Sequence, residues 1–307
     1  MKLVQPGNRP VPSINGKRTM LVDTTNLFWI QRFSDFKKND DYDPDAWMLF
    51  FQNVLNKISI LKSKYRIDRV IFCDEGRSIW RKDAYPEYKA NRSVELDLYF
   101  DDVNYAKSKL KEVIENYSNH FYLSVDKMEA DDLIAIYTQE FHLEDNFILI
   151  VSTDKDFLQL LDKDNVHQFD PIKFEEKSKN LEEVGFQLFL KCIRGDTGDN
   201  ITSAYPRVRE KKLREAWEEK SGYGMMNIMN TVRKDHLMVK EVFERNKRLI
   251  DLTQQPEELR EKVKQEFQSL NKSDHQGYSM IKMRQWLKKH DFEKLLEQYG
   301  EIENVLT

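Results

Sequence analysis

The sequence predicts an α/β fold: a central, twisted, mainly parallel sheet with helices on both faces. Three observations carry this. Short apolar runs, TMLVDT, RVIFCD and FILIVS, read as buried strands. Segments with apolar residues at helical spacing separate them, which is the alternation of a parallel sheet. Acids then stand at or just after the strand ends: Asp23, Asp74, Asp154 and Asp156. In such sheets ligands bind beyond the carboxyl ends of the strands. Independent surface acids would have no reason to share that edge.

The elements follow in order. Residues 1–18 are polar and rich in Pro, Gly and Asn, and read as a flexible tail. TMLVDT is the first strand. Asp43-Pro44-Asp45 offers a helix start, and Trp47, Phe51, Val54, Leu55, Ile58, Leu61 and Tyr65 follow at helical spacing. RVIFCD is the second strand. A long helix is expected over much of Leu96–Tyr117, a short strand at Phe121–Val125 and a helix at Ala130–Phe141. FILIVS is the most apolar strand and is placed centrally; Val166–Phe169 reads as one more. After Asp170 the strand pattern stops, and helices are expected at Leu181–Arg194, Glu210–Lys220, Asp235–Leu252 and Pro256–Leu270. The expected organisation is an α/β core over 19–180, with an arch at about 76–117, and a helical region over 181–307.

The bulk properties narrow the class. The longest clean apolar run is FILIV, so no membrane span is expected. Cys73 and Cys192 lie in apolar sequence and read as buried free thiols of a reducing, cytoplasmic compartment. Net charge is −4, yet the bases are clustered: five between Arg77 and Arg92, five between Arg207 and Arg214, and four between Met280 and His290. Local patches set a binding field, so overall acidity does not exclude nucleic acid.

Nine acids recur in five clusters: Asp23; Asp74; Glu129, Asp131 and Asp132; Asp154 and Asp156; Asp196 and Asp199. Taken singly, each reads as a helix cap or turn acid. Taken together, in this topology, they repel one another unless cations neutralise them, and oxygen-only ligands suit Mg²⁺ or Mn²⁺. Asp154 and Asp156 would converge on one strand face if the extended conformation persists. Glu129 with Asp132, and Asp196 with Asp199, would each share a helix face. Two ions so held suit phosphodiester hydrolysis, one serving the attacking water and the other the leaving oxygen. The segment GRSIWRKDAYPEYKANR follows the Asp74 strand and can overhang this site. Lys89 and Arg92 would meet the scissile phosphate, and Trp80, Tyr85 and Tyr88 would stack on unpaired bases. The sequence has no phosphate-loop, G-x-S-x-G or H-E-x-x-H motif.

VDTTN, FCDEG, YPEYKANR, EADDLIA, STDKDF and GDTGDN, in this order, resemble the motifs of the 5′-nuclease superfamily, and most of all its T-even phage ribonuclease H type. The superfamily includes flap endonucleases, phage 5′-exonucleases and the 5′-nuclease domains of bacterial DNA polymerases. The resemblance runs from about Thr19 to Ile201. It implies a PIN-like core and an Mg²⁺-dependent 5′→3′ exonuclease and flap endonuclease. The enzyme would act on RNA–DNA and DNA–DNA duplexes and remove RNA primers in phage DNA replication. Asp23, Asp74, Glu129, Asp131 and Asp132 would form one metal group, and Asp154, Asp156, Asp196 and Asp199 the second, with Mn²⁺ able to replace Mg²⁺. Lys89, Arg92, Asp154 and Asp156 would be catalytic. Arg77, Arg81, Lys82, Tyr88, Lys89 and Arg92 would contact nucleic acid. ITSAYPRVREKKL lacks the glycine-rich hairpin that carries the family's monovalent-ion site. Arg207, Arg209, Lys211 and Lys212 would grip duplex phosphates instead. Family partners would be a single-strand-binding protein, docking at the Met280–Tyr299 helices, and a sliding clamp; the protein would be monomeric. A PIN-type ribonuclease and a non-catalytic branched-DNA-binding protein are the alternatives.

Overall fold

The structure, a computed structural model, describes residues 17–36, 42–76, 79–91, 98–178, 180–270, 277–297 and 299–307. Arg77 and Arg92, and the expected tail up to residue 16, lie outside these. The N-terminal half runs β1 (Lys17–Asp23), α1 (Thr24–Asp35), α2 (Ala46–Tyr65), β2 (Arg69–Asp74), α3 (Trp80–Ala84), α4 (Phe100–Tyr117), β3 (Phe121–Ser124), α5 (Ala130–Glu140), β4 (Asp145–Val151), a 3-10 turn (Asp156–Leu160), β5 (Val166–Asp170) and β6 (Glu175–Glu176). The remainder is helical: α6 (Leu181–Arg194), α7 (Glu210–Glu218), α8 (Tyr223–Met229), α9 (Val239–Ile250), α10 (Glu257–Leu270), α11 (Met280–Lys289), α12 (Glu293–Glu297) and α13 (Tyr299–Leu306).

The strands form one sheet in the order β3-β2-β1-β4-β5-β6, parallel throughout except for β6. Chain progression reverses between β1 and β4, which makes the crevice beyond their ends the natural ligand site. Alternate strand residues feed two cores, because strand side chains alternate faces. Met20, Val22, Val70, Phe72, Leu149 and Val151 face α2, α4 and the C-terminal helices. Leu21, Ile71, Cys73, Ile148 and Ile150 face α5 and α10.

Packing does not follow the expected boundary at residue 180. Met283, Trp286, Leu287, Leu295, Ile302 and Leu306 of α11–α13 join α2 and α4 in the first core, and α10 lays Val263 and Phe267 on α5. Helices α6 to α9 alone build a separate small core around Phe186, Ile193, Leu213 and Val242. The apolar residues of the Met280–Tyr299 segment are therefore largely spent inside, leaving Met280 and Ile281 exposed. Likewise α4, expected to belong to the arch, buries Val103, Ala106, Leu110, Val113 and Ile114 in the core.

Several elements escaped the sequence reading, among them the short helices α3, α8 and α13. Helix α1 begins directly at the end of β1, with Asp23 as its cap, where the apolar run had suggested only a strand. Strand β6 is two exposed glutamates, without any apolar signal. Cys73 and Cys192 are both free and buried, as expected. No helix among the described residues is long and apolar enough to cross a membrane.

Candidate active site

Asp23 ends β1 and caps α1, accepting the Asn26 backbone N–H at 3.2 Å and the Ser152 hydroxyl at 3.0 Å. Ser152 and Thr153 follow β4, and Asn26 donates to Thr153 Oγ1 at 3.0 Å. The loops after the two central strands are thus stitched together at the reversal point. Asp74 ends β2. Its Oδ1 accepts Thr25 Oγ1 at 2.9 Å and lies 2.7 Å from Lys107 Nζ, and its Oδ2 accepts Tyr122 Oη at 2.6 Å. Gly76 lets this loop pass close to the next: its N–H donates to Met128 O at 2.8 Å, and a Cβ there would meet Val125 O at 2.2 Å. That approach ties the loop after Asp74 to the segment that leads into α5.

Glu129 is the N-cap of α5 and reciprocates with Asp132 in a capping box. Carboxylate oxygens of Glu129, Asp131 and Asp132 lie within 4.8 Å of one another. Arg81 enters this cluster almost wholly buried, at 1% exposure. It donates to Asp132 Oδ1 and Oδ2 at 2.8 Å each, to Glu129 Oε2 at 2.7 Å and to Leu249 O at 2.8 Å. Trp80 Nε1 adds a bond to Asp132 Oδ2 at 3.0 Å, and Gln255 one to Oδ1 at 3.3 Å.

Asp132 stays in the acid group that could hold an ion, with both oxygens accepting protein donors here. For the residues around it, these contacts correct three expectations. Arg81 is an internal counter-ion, not a phosphate contact. Trp80 is buried against α5 and offers no ring for stacking. Tyr88 is also buried; its hydroxyl donates to Glu129 Oε2 and Asp199 Oδ2, both at 3.2 Å. Lys82 is exposed on α3.

Asp131 differs from its neighbour. Its Oδ1 is buried and accepts no hydrogen bond, and the Arg81 guanidinium stands 3.8 Å away. Burial pushes its carboxyl well above the ordinary range; Arg81 opposes this, and Glu129 and Asp132 add to it. A buried oxygen without a hydrogen-bond donor, set among carboxylates, is a position that a cation would satisfy. The donor set, all hard oxygen, fits Mg²⁺ or Mn²⁺.

The remaining acids do not lie as the spacing suggested. β4 stops at Val151, so Asp154 and Asp156 do not share a strand face. Asp154 is exposed and accepts the Asp156 N–H at 2.8 Å, opening the 3-10 turn. Asp196 and Asp199 sit in a turn, not on a helix. Asp196 pairs across it with Ile201, and Gly195 permits this at φ +75°, with Ile201 O only 2.2 Å from where a Cβ would stand. Lys191, which the sequence reading missed, joins the two groups: its ammonium lies 2.6 Å from Asp156 Oδ2 and 2.8 Å from Asp196 Oδ2. Burial opposes that ammonium, but Asp156 and Asp196 raise its pKa.

The segment 85–91 is tied over this edge. Lys89, at φ +57°, donates its N–H to Asp199 O at 2.8 Å, and its ammonium pairs with Glu129 Oε1. Asn200 Nδ2 donates to Glu87 O at 2.8 Å and Asn91 Nδ2 to Thr197 O at 2.7 Å. Farther along, Arg207, Arg209, Lys211 and Lys212 line one surface cleft of about 580 Å³ with Tyr205 and Glu215.

Residues 18–187 match the family described as 5′-3′ exonuclease, N-terminal resolvase-like domain. The chain belongs to that 5′-3′ exonuclease family. It is 31% identical over 162 residues to a ribonuclease H of Enterobacteria phage T4, covering 50% of this chain and 53% of that protein. It is 31% identical over 199 residues to a 5′-3′ exonuclease of Mycoplasmopsis pulmonis, covering 60% and 61%. A flap endonuclease of Escherichia phage T5 is 29% identical over 202 residues, covering 60% and 64%. The chain thus spans between half and two thirds of these relatives' length. The structure of phage T5 D15 protein co-crystallized with metal ions superposes with a TM-score of 0.61 at 22% identity, over 83% of this chain and 99% of that one. The D15 flap endonuclease complex with DNA and metal ions gives 0.61 and 22%, over 84% and 100%. Both show the same fold.

Ion-free protein offers a pH test of the site. Burial pushes Asp23 from 3.8 up to about 7, with Asn26 and Ser152 opposing and Asp154 and Glu75 adding. The folded state then holds a proton that the unfolded state has released, so stability falls as pH rises from about 4 to about 7. The bound is about 4 kcal/mol, reduced because the side chain is partly solvated. In EDTA, denaturant midpoints should fall across that window, and Asp23→Asn should flatten the slope. An unchanged slope would show that Asp23 titrates normally.

Proposed function

We propose that this protein is a divalent-metal-dependent 5′→3′ exonuclease and flap endonuclease. The reading rests on one observation above all: the buried, unbonded Asp131 Oδ1 within an acid-rich sheet edge. Asp23, Asp74, Glu129 and Asp131 would hold one ion, and Asp154, Asp156, Asp196 and Asp199 a second, with Mg²⁺ the proposed ion and Mn²⁺ a substitute. Bound there, the ions would lower the pKa of a water and stabilise the leaving oxygen. Lys89, fixed between Glu129 and Asp199 O, would turn its ammonium to the scissile phosphate. Tyr88 holds Glu129 and Asp199 in register. The cleft at Arg207, Arg209, Lys211 and Lys212 would take duplex phosphates. Products would carry 5′-phosphates.

A relative named ribonuclease H and another named flap endonuclease support both RNA–DNA hybrids and branched DNA as substrates. The proposed cellular step is removal of RNA primers during phage DNA replication. The test uses a 5′-labelled flap duplex and a 5′-labelled RNA–DNA hybrid, with Mg²⁺ and again with EDTA. Metal-dependent release of short 5′-fragments is expected, and the two rates rank the substrates. Tight branch binding with no cleavage would make the protein a structure-binding module. Lys89→Ala should lower turnover about a hundredfold while flap affinity shifts only a few-fold. Unchanged turnover would remove Lys89 from the chemistry.

A further inference from the structure

We propose that Lys107 is a tethered counter-ion: it holds Asp74 in the ion-free protein, yields that carboxylate to a divalent cation, and passes its ammonium to a phosphate of bound nucleic acid. The proposal rests on the nuclease reading above and adds a residue to it. Lys107 Nζ lies 2.7 Å from Asp74 Oδ1 and 2.6 Å from Thr25 Oγ1. Thr25 Oγ1 itself donates to that same Oδ1 at 2.9 Å, and Tyr122 Oη occupies Oδ2. Both side chains of the ion pair are largely buried, at 11% and 14% exposure. Asp74 is the acid that pairs with Lys107 among the described residues.

The geometry sets a conflict. A divalent ion binds a carboxylate oxygen at about 2.0–2.1 Å. An ammonium 2.7 Å from that oxygen would then stand a few ångströms from the ion, in a partly buried site where like charges repel strongly. The backbone of α4 is fixed by its packing on α1 and α2. The four-carbon stem of Lys107 is flexible, so the ammonium moves while the helix stays. Beside the sheet edge, the anion it then meets is substrate phosphate. Lys107 therefore opposes ion binding in the free protein and favours it in the complex, which couples the two ligands.

The full chain, wild type and Lys107→Met, Lys107→Gln and Lys107→Arg, is titrated with Mn²⁺ without nucleic acid, read by electron paramagnetic resonance. Affinity for a 5′-flap duplex is then measured with Ca²⁺ and with EDTA. Lys107→Met should bind Mn²⁺ about tenfold more tightly than wild type, and its flap affinity should gain less from Ca²⁺. Lys107→Arg should follow the wild type. If Lys107→Met does not fold, Lys107→Gln, neutral but still polar, takes the same reading. Wild-type binding of Mn²⁺ with equal or weaker binding by a folded neutral variant overturns this proposal alone. A wild type that neither binds Mn²⁺ nor cleaves overturns the nuclease reading with it.

Discussion

Arg81→Met should lower the unfolding free energy by about 3–5 kcal/mol, because it leaves the buried Asp132 carboxylate without its cation. The guanidinium is 1% exposed and spends its donors on Asp132, Glu129 and Leu249 O. Those acceptors belong to the start of α5 and the end of α9, so one side chain joins the sheet edge to the helical region. Asp132 is fully buried and would keep Trp80 and Gln255 as neutral donors only. Adding Asp132→Leu should recover part of the loss, since an apolar pair removes the uncompensated charge. Lys82→Met, one residue on and exposed, should stay within about 0.5 kcal/mol. Urea unfolding followed by circular dichroism measures all three. Wild-type stability in Arg81→Met with weakened flap binding would return Arg81 to the nucleic-acid surface.

Arg81 also shows where sequence reading stops. RKDAYPEYKANR is a basic, aromatic stretch, and nothing in its composition separates Arg81 from Lys82. The separation arises because α3 turns Trp80 and Arg81 inward against α5. The α/β fold was legible because strand and helix periods differ and the apolar runs are clean. The acids at the sheet edge were legible because β1, β2 and β4 all end beside them. Their partners were not. Lys191 reads as an ordinary base in the last turn of α6, favoured there by the helix dipole. Lys107 lies 82 residues from Thr25, and no local spacing connects them. Asp154 and Asp156 share no strand face for a local reason: Asp154 caps a turn with its own side chain, ending the extended backbone that the period of two assumes.

The sharpest contrast lies between adjacent residues. Asp131→Asn should reduce cleavage at least about a thousandfold, while Asp132→Asn should act first on stability. A metal contact supplies several kcal/mol of transition-state charge stabilisation, and each 1.36 kcal/mol is tenfold in rate. Asp131 Oδ1 is buried and accepts no hydrogen bond, and its carboxyl titrates well above the usual range because of burial, with Glu129 and Asp132 adding to the effect. Ionised Asp131 therefore costs the ion-free fold free energy at neutral pH, and its amide should leave that fold equally or more stable in EDTA. Asp132 is the reverse: its charge answers Arg81 at 2.8 Å on both oxygens, and its amide should destabilise the fold by about 1–3 kcal/mol. Single-turnover cleavage of a saturating 5′-flap duplex reads the first effect, and denaturant unfolding in EDTA reads the second. A wild-type rate in Asp131→Asn would take that carboxylate out of the site. Equal destabilisation by both amides would make the pair structural and leave the ion to Asp23 and Asp74.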